Sequence, residues 1–363
     1  MLTPFRPSAL PPKDLDWSAL VSHVGQAHAA VARYEGRLEA IPNPRVFLSP
    51  LLTQEAVLSS KIEGTQATLE EVLEFEADPS SQHERTEDIK EIINYRRALS
   101  HAEHRLDERP LTLNLIREMH HILLEGVRGA NKSRGHFRTD QNWIGKPGSP
   151  IQNATYIPPH PLDVLECLSD WEKYYHADEK DRLVQLALLH AQFELIHPFL
   201  DGNGRMGRLF IPLFLYEKRI LSSPTLYVSA YLERTRSEYY ARLQAISEDG
   251  AWEEWIVYFL KAVTEQALEN SRKTKEILDL YNESKEIVAN TTRSRYAIQT
   301  LDYLFINPIF TGSSFVLHSH VPKPSAARIL KNLQKDGIVQ LLREGRGRRP
   351  ALYMFRRLMN IVA

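Results

Sequence analysis

His197-Pro198-Phe199-Leu200-Asp201-Gly202-Asn203-Gly204-Arg205-Met206-Gly207-Arg208 is the stretch from which this 363-residue chain is best read. The residues before it, Leu183–Ile196, are strongly apolar and predict a well-buried helix. Pro198 disfavours helical backbone at His197, so the helix should stop there and project the imidazole onto a loop. Gly202-Asn203-Gly204 follows, and Arg205 opens a new helix. Glycines ahead of a helix let backbone N–H groups crowd round an anion, and the helix N-terminus adds partial positive charge. Arg205 and Arg208, three apart, lie on one side of that helix and supply planar donors for phosphate oxygens. Asp201 can hold a magnesium ion that bridges phosphates. His197, with an ordinary pKa of about 6.5, suits proton abstraction from an alcohol near neutral pH. Each feature alone is commonplace: a histidine before proline, a Gly-Asn-Gly turn, two arginines on a solvated face. Their convergence in a dozen residues points to nucleotide chemistry. It is not a Walker loop, because the Gly-Lys-Ser/Thr ending is missing.

Working outward, helical periodicity runs from about Leu15 to Asn282, in Leu20–Leu38, Leu69–Phe75, Ile89–Leu99, Leu113–Leu124, Leu183–Ile196, Arg205–Tyr216 and Trp252–Leu268. Breaks are expected at 78–82 and 128–131, where turn residues gather. Trp143–His160 differs, being rich in Gly, Pro and Asn around a β-like Ala154-Thr155-Tyr156-Ile157, which predicts an exposed hairpin. A net charge of −1 argues against a generic nucleic-acid or membrane binder, so any such role must sit in a local patch. The single cysteine, Cys167, forms no internal disulfide. With no signal pattern at the start and no apolar run of membrane-spanning length, this predicts a cytoplasmic protein.

The motif resembles the Fic signature, His-Pro-Phe-x-(Asp/Glu)-Gly-Asn-Gly-Arg-x-x-Arg, at every specified position. The resemblance implies a mainly α fold with a helical Fic core and a β-hairpin flap. It implies His197 as general base, Phe199 as buried loop anchor and Asp201 as ligand of Mg2+. Gly202, Asn203 and Gly204 would cradle the α- and β-phosphates of ATP, and Arg205 and Arg208 would hold the outer ones, with Met206 and Gly207 in the same nucleotide-binding run. Gly135–Gly145 through Tyr156–His160 is similar to the family's flap, whose Thr155, Tyr156 and Ile157 would pair with an extended segment of a target protein. Tyr239-Tyr240-Ala241-Arg242-Leu243 is similar to the stretch beside the adenine, which places Tyr239 there.

Far upstream stands Ser59-Ser60-Lys61-Ile62-Glu63-Gly64. By itself it is a helix end with Gly64 as cap. Ser59 and Glu63 are four apart and stack on one helical face. The run resembles the (Ser/Thr)-x-x-x-Glu-(Gly/Asn) inhibitory helix of many Fic proteins, whose glutamate pairs with the motif's second arginine, here Arg208. That carboxylate would take the place wanted by the γ-phosphate.

The last residues change character. Tyr296–Phe305 and Ser325–Gln334 read as helices, Ile338–Leu342 and Ala351–Phe355 as strands, with a turn at 345–350 between the strands. That order is a winged helix-turn-helix. From Val321 to Arg357 ten basic residues face only Asp336 and Glu344. Such a module can meet DNA phosphates, with Arg346, Arg348 and Arg349 at the wing tip, or serve protein contacts and homodimerisation. The expected regions are therefore 1–105 with the inhibitory helix, 106–285 with the Fic core, and 291–363. The expected function is transfer of AMP from ATP to a Ser, Thr or Tyr hydroxyl of a protein, itself included, autoinhibited by Glu63. The alternatives are a nucleotide-responsive DNA-binding regulator, another nucleotide donor, or removal of AMP with Glu63 positioning water.

Overall fold

A computed structural model describes residues 3–41, 44–80, 84–129, 131–146, 148–347 and 349–363, leaving aside the side chains of 44–46. Parts of both expected loops, 78–82 and 128–131, and Arg348 of the wing fall outside the described residues. The N-terminal helices are α1 (Trp17–Glu39), α2 (Pro44–Ile62), α3 (Leu69–Ala77), α4 (Thr86–Leu106) and α5 (Leu113–Leu123). Then come α6 (Val164–His176), α7 (Arg182–Ile196), α8 (Asn203–Glu217), α9 (Ser229–Arg234), α10 (Arg236–Asp249) and α11 (Trp252–Thr292). Caps match the chemistry of the helix starts. Asp16 accepts from the Ser18 and Ala19 N–H groups, Thr68 and Glu71 form a reciprocal capping box, and Asp181 caps α7.

α7 is buried on nearly all sides, and a helix of that kind belongs at the centre. It packs against α6, α8 and α11, and the indoles of Trp171 and Trp255 donate to its Leu189 and Ala187 carbonyls at 2.8 Å each. α1 lies along α11 on the outside. α11 continues 24 residues past the expected Leu268, to Thr292. Its second half buries Ile277, Leu280, Tyr281 and Val288 together with Ser271, Thr274 and Ser284, and Arg272 pairs with Glu269 and Glu276 on its surface, so small polar residues interrupt its apolar stripe. α2, with Pro50 inside it, was foreseen only as a helix end.

The C-terminal residues form α12 (Ala297–Ile306), β1 (Ile309–Thr311), α13 (Gly312–His318), α14 (Lys323–Lys335), β2 (Gln340–Arg343), β3 (Leu352–Met354) and α15 (Arg356–Val362). The sheet order is β1-β3-β2, antiparallel, with Phe310 opposite Tyr353 and Leu341 also opposite Tyr353. β1 escaped the sequence reading because three residues are too short for a periodic signal. This module rests on α2 and α3, and Arg343 of β2 meets the buried Asp78 at 2.6 Å. The flap is slighter than expected, a single antiparallel bridge between Ile144 and Tyr156 round a short turn at Ile151–Asn153. None of the described helices is long and apolar enough to cross a membrane.

Candidate active site

α7 ends at Ile196, and His197 adopts left-handed backbone, φ 48°, ψ 59°. Its carbonyl is then held by Arg138 Nε at 2.9 Å and Asn142 Nδ2 at 3.2 Å, while Arg138 Nη2 reaches Pro159 O at 2.5 Å. His197 Nδ1 lies 3.2 Å from Glu194 O. A carbonyl only accepts, so Nδ1 carries the proton and Nε2 keeps its lone pair. Burial pushes the His197 pKa down to about 4, so the imidazole is neutral at neutral pH.

The next turn is closed by Asn203. Its Oδ1 accepts from Phe199 N–H and its Nδ2 donates to Phe199 O, both at 2.8 Å. Phe199 is fully buried and stacks on His120 with centroids 3.7 Å apart. His120 accepts from Gly135 N–H at Nδ1 and donates from Nε2 to Asp201 O at 3.0 Å. Gly202, at φ +81°, supplies the left-handed step into α8, which starts at Asn203, two residues earlier than expected. No side chain caps α8, so its first N–H groups are available to an anion.

Arg208, 1% exposed, donates from Nε to Ser59 Oγ at 2.8 Å and from Nη2 to Ser59 O at 2.9 Å and Glu63 Oε1 at 2.7 Å. Burial works against ionisation of Glu63, but Arg208 outweighs it and holds the carboxyl below its ordinary range. Gly64 follows at φ +102° and ends α2. A Cβ at Gly204 would stand 2.2 Å from Glu63 Oε1, so only glycine admits the carboxylate over the start of α8. Arg205 is buried too, bound to Glu91 Oε2 of α4 at 2.8 Å, with Asp201 Oδ1 at 3.4 Å.

Four of the residues expected at the nucleotide have inward-facing or already engaged side chains or backbone. Met206 is fully buried, and its N–H already bonds Gly202 O. Gly207 faces inward, where its carbonyl meets His190 Nδ1 at 3.1 Å. The Asn203 side chain is engaged wholly by Phe199, so only its backbone N–H faces a ligand. Tyr239 is 1% exposed, its hydroxyl 3.0 Å from His190 Nε2, and has no surface for a base. Tyr240 next to it is 41% exposed and feels the charges of Glu63 and Arg208. Tyr239→Phe should therefore cost about 1 kcal/mol in urea unfolding, by leaving His190 Nε2 without a partner, with ATP affinity unchanged. A drop in ATP affinity instead would return Tyr239 to the ligand.

Sequence reasoning missed Glu91, His120, Arg138, Asn142 and Glu194. Glu194 lies over Gly207, and burial pushes its carboxyl up to about 8. Arg138 and Asn142 lie in the flap-like stretch without an individual role assigned there, and only proximity across the fold marks Glu91, His120 and Glu194. Magnesium fits this site on one carboxylate. Asp201 is partly exposed beside the open start of α8, and a Cβ at Gly129 would stand 2.8 Å from its Oδ2. Lys132 Nζ is 3.3 Å from the same oxygen. One carboxylate suits a metal that arrives on phosphates with its own waters.

Residues 21–104 match the Fic/DOC family N-terminal model and residues 110–215 the Fic/DOC family model. A probable protein adenylyltransferase of Aquifex aeolicus is 28% identical over 212 residues, 56% of this chain and 58% of that protein. The protein adenylyltransferase fic-1 of Caenorhabditis briggsae is 30% identical over 133 residues, 37% of this chain and 24% of that one. The chain thus spans 58% and 24% of the lengths of these curated relatives. Among solved structures, a Fic family protein from Desulfovibrio desulfuricans superposes with TM-score 0.62 at 19% identity, covering 95% of this chain and 98% of that one. At that identity the likeness concerns the fold. The two family models together span most of residues 21–215, and the His197–Arg208 loop lies inside the second, so the chain belongs to the Fic/DOC family.

Proposed function

We propose that the chain transfers AMP from Mg-ATP to a Ser, Thr or Tyr hydroxyl of a protein, itself included, and that Glu63 holds this activity down. The observation that carries the reading is the meeting of a neutral His197, an uncapped α8 N-terminus and Arg208 in one small volume. The hydroxyl oxygen attacks the α-phosphorus, the bond to the bridging oxygen breaks, and pyrophosphate leaves. His197 Nε2 takes the hydroxyl proton. The α8 N–H groups at Gly204 and Arg205 hold phosphate oxygens, and Arg208 takes the γ-phosphate once Glu63 withdraws. Tyr240, in place of Tyr239, lies on the adenine side. Asp201 would hold the magnesium ion, which neutralises phosphate charge when bound. The flap backbone at Thr155, Tyr156 and Ile157 takes the target as an added strand. ATP labelled at the α-phosphate tests the transfer: protein-bound label supports it, and label only from the γ-position overturns it.

Asp201→Ala is expected to lower turnover and flatten the magnesium titration, because a single oxygen ligand couples metal to protein. An unchanged titration would make Asp201 a loop residue bound only to Arg205 and Lys132.

A second reading concerns 291–363 as a winged helix that binds DNA. Lys323, Lys331, Lys335, Arg346 and Arg349 are exposed. Arg343 and Arg357 are already engaged by Asp78 and Glu283, which lessens the local excess. Full-length chain should bind duplex DNA weakly at low salt, and replacing Arg346, Arg348 and Arg349 by Ala should weaken it about equally for all sequences. Absence of a gel shift at low salt would leave protein contact or dimerisation as the module's role.

A further inference from the structure

The residues ahead of α1 do not trail away from the molecule. They run along the flap. Phe5 N–H donates to Ile157 O at 2.9 Å, and the Phe5 ring tilts against Tyr156 with centroids 5.9 Å apart. Arg6 meets Glu166 at 2.9 Å, and the buried Gln192 donates through Nε2 to Ser8 O at 2.9 Å. The strand they join is already bonded on its other side, where Ile144 N–H donates to Tyr156 O and the Ile144 carbonyl accepts from the Thr155 and Tyr156 N–H groups. In extended chain, successive carbonyls point to opposite edges. The edge left for an incoming strand is therefore the one Phe5 holds.

That edge lies close to the chemistry. Tyr156 Oη donates to Leu195 O at 2.7 Å, two residues before His197, and Arg138 bridges Pro159 O to His197 O. We propose that residues Thr3–Leu10 are a tethered occupant of the target-docking edge, and that the edge selects extended segments carrying an aromatic side chain followed by a basic one. Tyr156 receives the aromatic ring, Glu166 the cation, and Gln192 a backbone carbonyl three residues after the ring. A tethered segment acts at an effective concentration on the order of millimolar, so an external target must displace it. Thr3 and Ser8 place two hydroxyls on the same segment. The inference rests on the reading of Thr155–Ile157 as the docking strand.

The test uses the full chain, without ATP, and a fluorescein-labelled peptide of sequence Thr3–Pro12. Phe5→Pro removes both the ring and the N–H donor, and should raise peptide affinity by fluorescence anisotropy at least about tenfold over the parent. Adding Tyr156→Ala should reverse most of that gain. Phe5→Ala, which keeps the N–H, should show a smaller gain and stands in if proline disturbs folding. Equal affinity for parent and both variants, or binding to none of them, overturns the proposal. Peptide capture without any AMP transfer by a Glu63→Gly chain would sink the transferase reading alone. Transfer without capture would sink this one alone.

Discussion

Glu63→Gly is expected to raise AMP transfer, self-modification included, by roughly ten- to a hundredfold. The charge-assisted bond from Arg208 Nη2 to Glu63 Oε1 is 2.7 Å long, and bonds of this kind contribute about 1.5–3 kcal/mol. Breaking it both removes negative charge from the place of the γ-phosphate and releases a donor for that phosphate. The arginine should stay in position, because Ser59 continues to hold Nε and Nη2 from the wall of α2. Glu63 leans directly over Gly204, so its removal also opens the first turn of α8. Its side chain is 32% exposed, so the stability lost with the pair is discounted for solvent screening and stays small beside the catalytic gain. Thermal unfolding with and without ATP separates the two effects: ATP should stabilise the variant more than the parent. A helix-end bystander would leave transfer unchanged at every ATP concentration, and that result ends the inhibitory reading. Loss of AMP removal from a modified target, with transfer unchanged, would instead assign Glu63 to the attacking water.

His197→Ala, made in the Glu63→Gly background, should lower transfer a hundredfold or more while leaving ATP affinity nearly intact. The phosphate donors belong to α8 and the imidazole to the end of α7, so the two functions are separable. The environment also sets a pH dependence. Burial disfavours the imidazolium and lowers the pKa to about 4, while Glu63 opposes that shift. Taking Glu63 away lowers it further. The base is neutral, hence active, above that pKa, so the rate in the Glu63→Gly chain should hold as pH falls through about 6.5, where an exposed imidazole is half protonated. Half-loss of rate near 6.5 would place the working imidazole in water. Near-normal transfer by the alanine variant would remove the mechanism altogether.

Local sequence determined the pieces whose cause is local. The end of α7 follows from His197-Pro198, and the uncapped start of α8 from Gly202-Asn203-Gly204. The end of α2 follows from Gly64, and the run of helices from their apolar spacing. Those features depend on backbone preference within a few residues, so they are written in the chain itself. Tertiary structure decided the rest. It turned Tyr239 inward onto His190 and left Tyr240 at the surface, although the two are adjacent and chemically alike. It closed the loop with the amide of Asn203, and joined Arg205 to Glu91, 114 residues away. It carried α11 to Thr292 on a buried face where Ser271, Thr274 and Ser284 interrupt the apolar Ile277, Leu280, Tyr281 and Val288. It also laid Phe5 on the flap. Pairing, burial and the choice between neighbouring side chains depend on groups brought close by packing, and a carboxylate's partner has no signature in its own sequence neighbourhood.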